Sequence, residues 1–143
     1  MSQEFVETFE QFTEHLALST IANGTFIIAR ANAEWQTAET AFREFETVWA
    51  ALCSANERLQ GFRQAPDVPK SVIAATSEYV RFSALEIDGA RATLRDHVAL
   101  SIDQCKRHAR KSAKQADRIF LLLEVACGDV VRYRNLLTIR GKV

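Results

Sequence analysis

Residues 70–139 read KSVIAATSEYVRFSALEIDGARATLRDHVALSIDQCKRHARKSAKQADRIFLLLEVACGDVVRYRNLLTI, with no proline anywhere in the stretch. At about 100° per residue, one arc of roughly 140° collects apolar and small residues along its whole length. The arc runs through Ile73, Val80, Ile87, Leu94, Ile102, Cys105, Ala109, Phe120, Leu123, Cys127, Val130 and Leu137. Such a stripe predicts one long amphipathic helix, of about 100 Å at 1.5 Å per residue. A rod of that length cannot cover its stripe inside a monomeric hairpin. It either folds back near residues 108–114 or finds a second subunit. Gly89 and Gly128 fall on the opposite face, where glycine costs about 1 kcal/mol relative to alanine without breaking a helix.

The rest of the chain supports the same class. The 143 residues fit one domain, with five glycines and two prolines to supply turns. A sandwich or barrel needs many more turn signals. We therefore expect an all-α, elongated antiparallel bundle of long helices completed by dimerisation, a single domain over 1–143. Its parts are a helical arm over 2–61, a proline loop over 62–69 and a long helical arm over 70–139.

Within the first arm, Ser2 is placed to cap a helix whose Phe5, Phe9, Phe12 and Leu16 share one face. Glu4, Glu7, Glu10 and Glu14 form its solvated side. Asn23-Gly24-Thr25 is the one turn signal here, and Arg30 and Glu34 interrupt the apolar face beyond it. The arm is two helices or one bent helix, and a break near Asn23-Gly24 is the favoured expectation. From Trp35, a seam of Ala38, Phe42, Phe45, Trp49, Leu52, Asn56 and Leu59 alternates three and four apart. Gly61 ends it, with Phe62 free to pack across the cap. Ala65-Pro66-Asp67-Val68-Pro69 is an unambiguous loop.

Charge is balanced overall but unevenly placed. Residues 1–64 carry nine acids and four bases, whereas residues 106–143 carry ten bases and three acids. Lys106, Arg107, Arg110, Lys111, Lys114 and Arg118 share an arc of about 140° on a continuous helix. Six cations on one face suit phosphate groups, as anionic lipid headgroups or, ranked lower, nucleic acid. A merely solvated basic face is as good a reading. At Ile119, Phe120, Leu121, Leu122, Leu123 and Val125 the apolar residues spread almost all round. That thickening is the expected oligomer contact.

Catalytic and metal signatures are absent from the pattern. No nucleophile elbow, Gly-rich phosphate loop or Glu-x-x-His pair occurs, and none of the histidines His15, His97 and His108 has a glutamate three residues before it. Cys105 and His108 lie one turn apart but offer only two of the ligands that zinc needs. Trp35 and Trp49 read as packing residues, and Asp96-His97 as a surface pair. We expect no enzyme, no cofactor and no metal. Cys53, Cys105 and Cys127, an odd and widely spaced set, point to a reducing, cytoplasmic setting, to which the lipid reading of the basic face adds a peripheral membrane location. The acidic N-terminus shows no signal peptide, and no run approaches the about 20 residues of a membrane span.

Ser77-Glu78-Tyr79-Val80-Arg81-Phe82, then Ala90-Arg91-Ala92-Thr93-Leu94-Arg95-Asp96 and the basic run to Arg118, resemble the central helix of sorting-nexin-type BAR domains. Asp129-Val130-Val131-Arg132-Tyr133-Arg134-Asn135-Leu136-Leu137 is a looser echo. The resemblance implies an elongated helical dimer that binds curved, anionic membranes. The expected role is a non-enzymatic scaffold or adaptor that self-associates. The alternatives are a purely protein-binding or structural bundle and an accessory nucleic-acid-binding protein.

Overall fold

The computed structural model describes residues 2–141, and among them there are five helices packed together and no strand. They are α1 (Gln3–Ala31), α2 (Trp35–Gln60), α3 (Lys70–Arg95), α4 (Ile102–Lys111) and α5 (Ala113–Gly141). The rod expected over 70–139 is thus three helices.

Helix α1 starts where its cap dictates, the Ser2 hydroxyl accepting from the Phe5 N–H at 3.2 Å. It then runs through Asn23-Gly24 without a break, correcting the expected turn. Nothing lies within 4 Å of where a Cβ on Gly24 would sit. The turn comes at residues 32–34, where Ala33 adopts φ 54°. Ala33 N–H donates to Arg30 O and Glu34 N–H to Ala29 O, at 3.1 and 2.9 Å, so the freed carbonyls are satisfied. A left-handed alanine costs about 1–2 kcal/mol. Packing opposes that cost. Phe26 meets Phe42 with ring centroids 5.5 Å apart, and Arg58 reaches Gln11 at 2.7 Å, so both pairs straddle residue 34 almost evenly.

Helix α2 stops at Gly61, and Phe62 folds back to meet Phe5 edge-on at 5.5 Å. After the proline loop, α3 returns along α2. Gln60 donates to Ile73 O at 3.1 Å, Trp49 Nε1 to Ser83 Oγ at 2.9 Å, and Arg91 pairs with Glu46 at 3.0 Å.

The second correction concerns where residues 70–139 fold back. Ser71 donates to Asp129 and Arg118 pairs with Glu78, which centres the reversal near residue 99 and not at 108–114. Asp96 closes α3, His97 takes φ 50°, and Val98 N–H reaches Thr93 O at 2.8 Å. The His97 ring stacks on Trp35 at 4.8 Å, tying the turn to the start of α2. Ser101 and Gln104 then form a reciprocal capping box that starts α4.

A further break at Ser112 separates α4 from α5. Of the expected stripe in α5, Leu123 and Val130 are buried, together with Ile119, Ala126 and Tyr133, while Phe120 and Cys127 stand in solvent. Tyr133 locks α5 to α1, meeting Phe5 edge-on at 5.4 Å and accepting from Ser2 N–H at 2.6 Å.

Two apolar clusters result. The first draws on α1, α2, α3 and α5, with Phe5, Phe12, Leu52, Leu59, Val72, Ile119 and Val130 among its members. The second, around Phe26, Phe42, Phe45 and Ile87, comes from α1, α2 and α3 alone. Helix α4 lies beside this second cluster and buries no residue of its own.

Candidate functional site

Helix α4 has no buried side chain, so local terms carry much of its stability. A ten-residue helix is marginal in isolation. The capping box satisfies its first amides, Asp103 sits at the positive end of its dipole, and His108, Arg110 and Lys111 sit at the negative end. Part of the basic character therefore serves the helix itself.

Lys106, Arg107, Arg110, Lys111 and Lys114 are all exposed, and none forms an ion pair among the described residues. Arg118 is different. It pairs with Glu78 at 3.1 Å, and Glu78 also holds Arg81 at 3.7 Å. Arg118 thus leaves the set of free cations. Asp103 lies on the same angular sector as the α4 cations, three and four residues before Lys106 and Arg107, and lowers the local charge without touching them. The nearby part of α1, with Asn23, Phe26 and Ile27, carries no charge to neutralise the face.

The six apolar residues expected at an oligomer contact divide. Ile119 and Leu123 are 1% and 8% exposed and belong to the chain's own core, and Leu122 packs partly against it. Phe120, Leu121 and Val125 are exposed at 54%, 61% and 49%. Helix α5 turns the edge through Ile119, Leu123, Ala126, Val130 and Tyr133 inward, and Phe120, Leu121 and Val125 fall outside that edge.

A second feature was hidden from pattern reading. A groove of about 500 Å³ runs between α1, α3 and α4, lined by Phe26, Ile27, Ala90, Leu100, Cys105 and Arg30 among others. Arg30 is only 7% exposed. Its guanidinium donates to Thr93 Oγ1 at 3.1 Å and to Cys105 Sγ at 3.2 Å, and lies over the Phe26 ring at 5.0 Å. Its buried Nε has no partner, and no carboxylate forms an ion pair with it among the described residues. The signal in the sequence was a cation on the apolar phase of α1, but its surroundings come from residues more than 60 positions away.

The remaining titratable groups give little chemistry. Burial raises the Cys53 and Cys127 thiols, with Glu57 and Glu124 adding to the effect, which disfavours thiolate. Desolvation raises the Glu86 carboxyl above its usual range, although the residue as a whole is exposed. Among the described residues no three His, Cys, Asp or Glu side chains gather as a metal site, and no helix is long and apolar enough to cross a membrane. No protein-family model, curated protein or solved structure matches this chain, so its reading rests on these residues alone.

Proposed function

We propose that this chain is a non-enzymatic helical scaffold that rests on anionic membrane surfaces through the cationic face of α4. The observation that carries the reading is the set of Lys106, Arg107, Arg110, Lys111 and Lys114, exposed and unpaired on and just after one short helix. Near an anionic bilayer each such cation contributes about 1 kcal/mol. The likeness to sorting-nexin-type BAR domains belongs to the same proposal, although the stretch that carries it is divided among α3, α4 and α5, and the antiparallel pairing of the longer helices favours an elongated form. Self-association as a homodimer uses the outer side of α5 around Phe120, Leu121 and Val125, whose exposure favours it. In a reducing cytoplasmic setting the protein is then a peripheral membrane adaptor.

Cosedimentation with vesicles tests this reading. Binding to phosphatidylserine-containing vesicles, absent with neutral phosphatidylcholine, is expected to fall sharply when the five cations become glutamine. Arg118→Gln alone is expected to change little, since Glu78 already engages that side chain. Equal pelleting of wild type and the five-glutamine variant refutes the lipid role. A stable dimer with no lipid response favours the protein-binding bundle, and salt-sensitive binding to an oligonucleotide favours the nucleic-acid role.

A further inference from the structure

Buried cations in folded proteins are paired, because an isolated charge in low dielectric costs several kcal/mol. Arg30 departs from that rule. Two neutral acceptors and one ring surround its guanidinium, its Nε has no acceptor, and no carboxylate reaches it among the described residues. The same guanidinium stands in the wall of the groove between α1, α3 and α4. That groove falls within the range of about 300–1,000 Å³ typical of small-ligand sites. Its other walls are largely apolar, from Phe26, Ile27, Ala90, Leu100 and Ala109, with Asn23 and Thr93 as neutral polar groups.

From this arrangement we propose that the groove binds a small amphipathic monocarboxylate, its carboxylate on Arg30 and its apolar body against α1, α3 and α4. The planar fork of arginine suits a carboxylate. Arg30 is the one buried cation of the groove, with Glu86 of α3 and His108 of α4 also lining it. A single guanidinium opposed by a carboxyl suits a monoanion better than a phosphate ester of higher charge. Helix α4 buries nothing of its own and roofs the groove, so a ligand there gives it the apolar contact that the second core cluster lacks. The site is separate from the outward cations of α4 and does not depend on their role.

Octanoate is the probe, with 1-octanol and acetate as partners that lack the charge and the apolar body respectively. Calorimetry and thermal melts on the full chain are expected to show binding of octanoate and much weaker responses to the other two. The Arg30 Nε–H resonance is expected to shift on adding octanoate and not on adding octanol. Arg30→Met is expected to weaken octanoate about 10- to 100-fold, the loss of a charge-assisted pair. Arg30→Lys, which keeps the charge without the fork, is expected to fall between.

Should Arg30→Met not fold, Gly89→Phe decides independently. Gly89 lines the groove and has nothing within 4 Å of where its Cβ would sit, so a side chain can start there and its ring narrows the site. Binding is expected to be lost in that variant. No response to octanoate, an equal response to octanol or acetate, or unchanged affinity in Arg30→Met or Gly89→Phe overturns the proposal.

Discussion

Truncating Ile119 and its neighbour Phe120 separates the observed packing of α5 from the continuous stripe that residues 70–139 suggest. Ile119 is 1% exposed within the first core cluster, whereas Phe120 is 54% exposed. Ile119→Ala removes three carbons, worth about 2.4 kcal/mol of transfer free energy at roughly 0.8 kcal/mol each. The cavity adds more when neighbours relax only in part, so the expected loss lies at about 2.5–4.5 kcal/mol, inside the usual range for such truncations. Phe120→Ala forfeits only partial contacts and is expected to cost well under half as much. Urea unfolding followed by far-ultraviolet circular dichroism reads the difference. With m near 1–3 kcal/mol/M, Ile119→Ala lowers the midpoint by about 0.8–4.5 M at unchanged m. The reverse order, with Phe120→Ala the damaging change, would refute the packing of α5 described above.

Gly24→Ala is expected to raise stability by about 0.4–1 kcal/mol, because Gly24 is mid-helix with open space at its Cβ, and a lower melting temperature would show a turn there after all. Ser101→Ala is expected to cost about 1 kcal/mol through the lost α4 cap, with Ser101→Asp retaining most of it, so equal losses in both variants would discount the cap. Ser71 and then Arg132 hold Asp129 below its ordinary 3.8, so its contribution is present above that value and lost as pH falls through the folded pKa. Asp129→Asn should therefore destabilise at pH 7 and converge with wild type in strong acid. Glu86 has the opposite sign: raised above its ordinary 4.5 by desolvation, it costs stability as pH rises through the folded value. Glu86→Gln should stabilise slightly at pH 7 and match wild type below that ordinary value. Thermal melts across pH check both, and a difference of the wrong sign at pH 7 refutes either.

How far the chain could be read depended on whether each signal was local. The Ser2 cap, the seam from Trp35, the stop at Gly61 and the proline loop all stand where residue type and spacing put them, whereas the ring that Phe62 meets, Phe5, lies on α1 and not at its own helix end. The solvated acids Glu4, Glu7, Glu10 and Glu14 do so too. In the candidate site, the exposure of the α4 cations follows the helical wheel. The engagement of Arg118 by Glu78 does not, because the partner lies on another helix 40 residues earlier.

Helical class, the apolar seams and the position of the proline loop follow from composition and periodicity, since a helix presents one face every three to four residues whatever it packs against. The reversals at residues 32–34 and near residue 99 do not. Each uses a non-glycine residue, Ala33 or His97, in a left-handed conformation that local preference disfavours. Contacts between distant segments hold those turns: Phe26 on Phe42, and His97 on Trp35. The buried guanidinium of Arg30 belongs with them, since Thr93 and Cys105 reach it only after the chain has turned back beside α1.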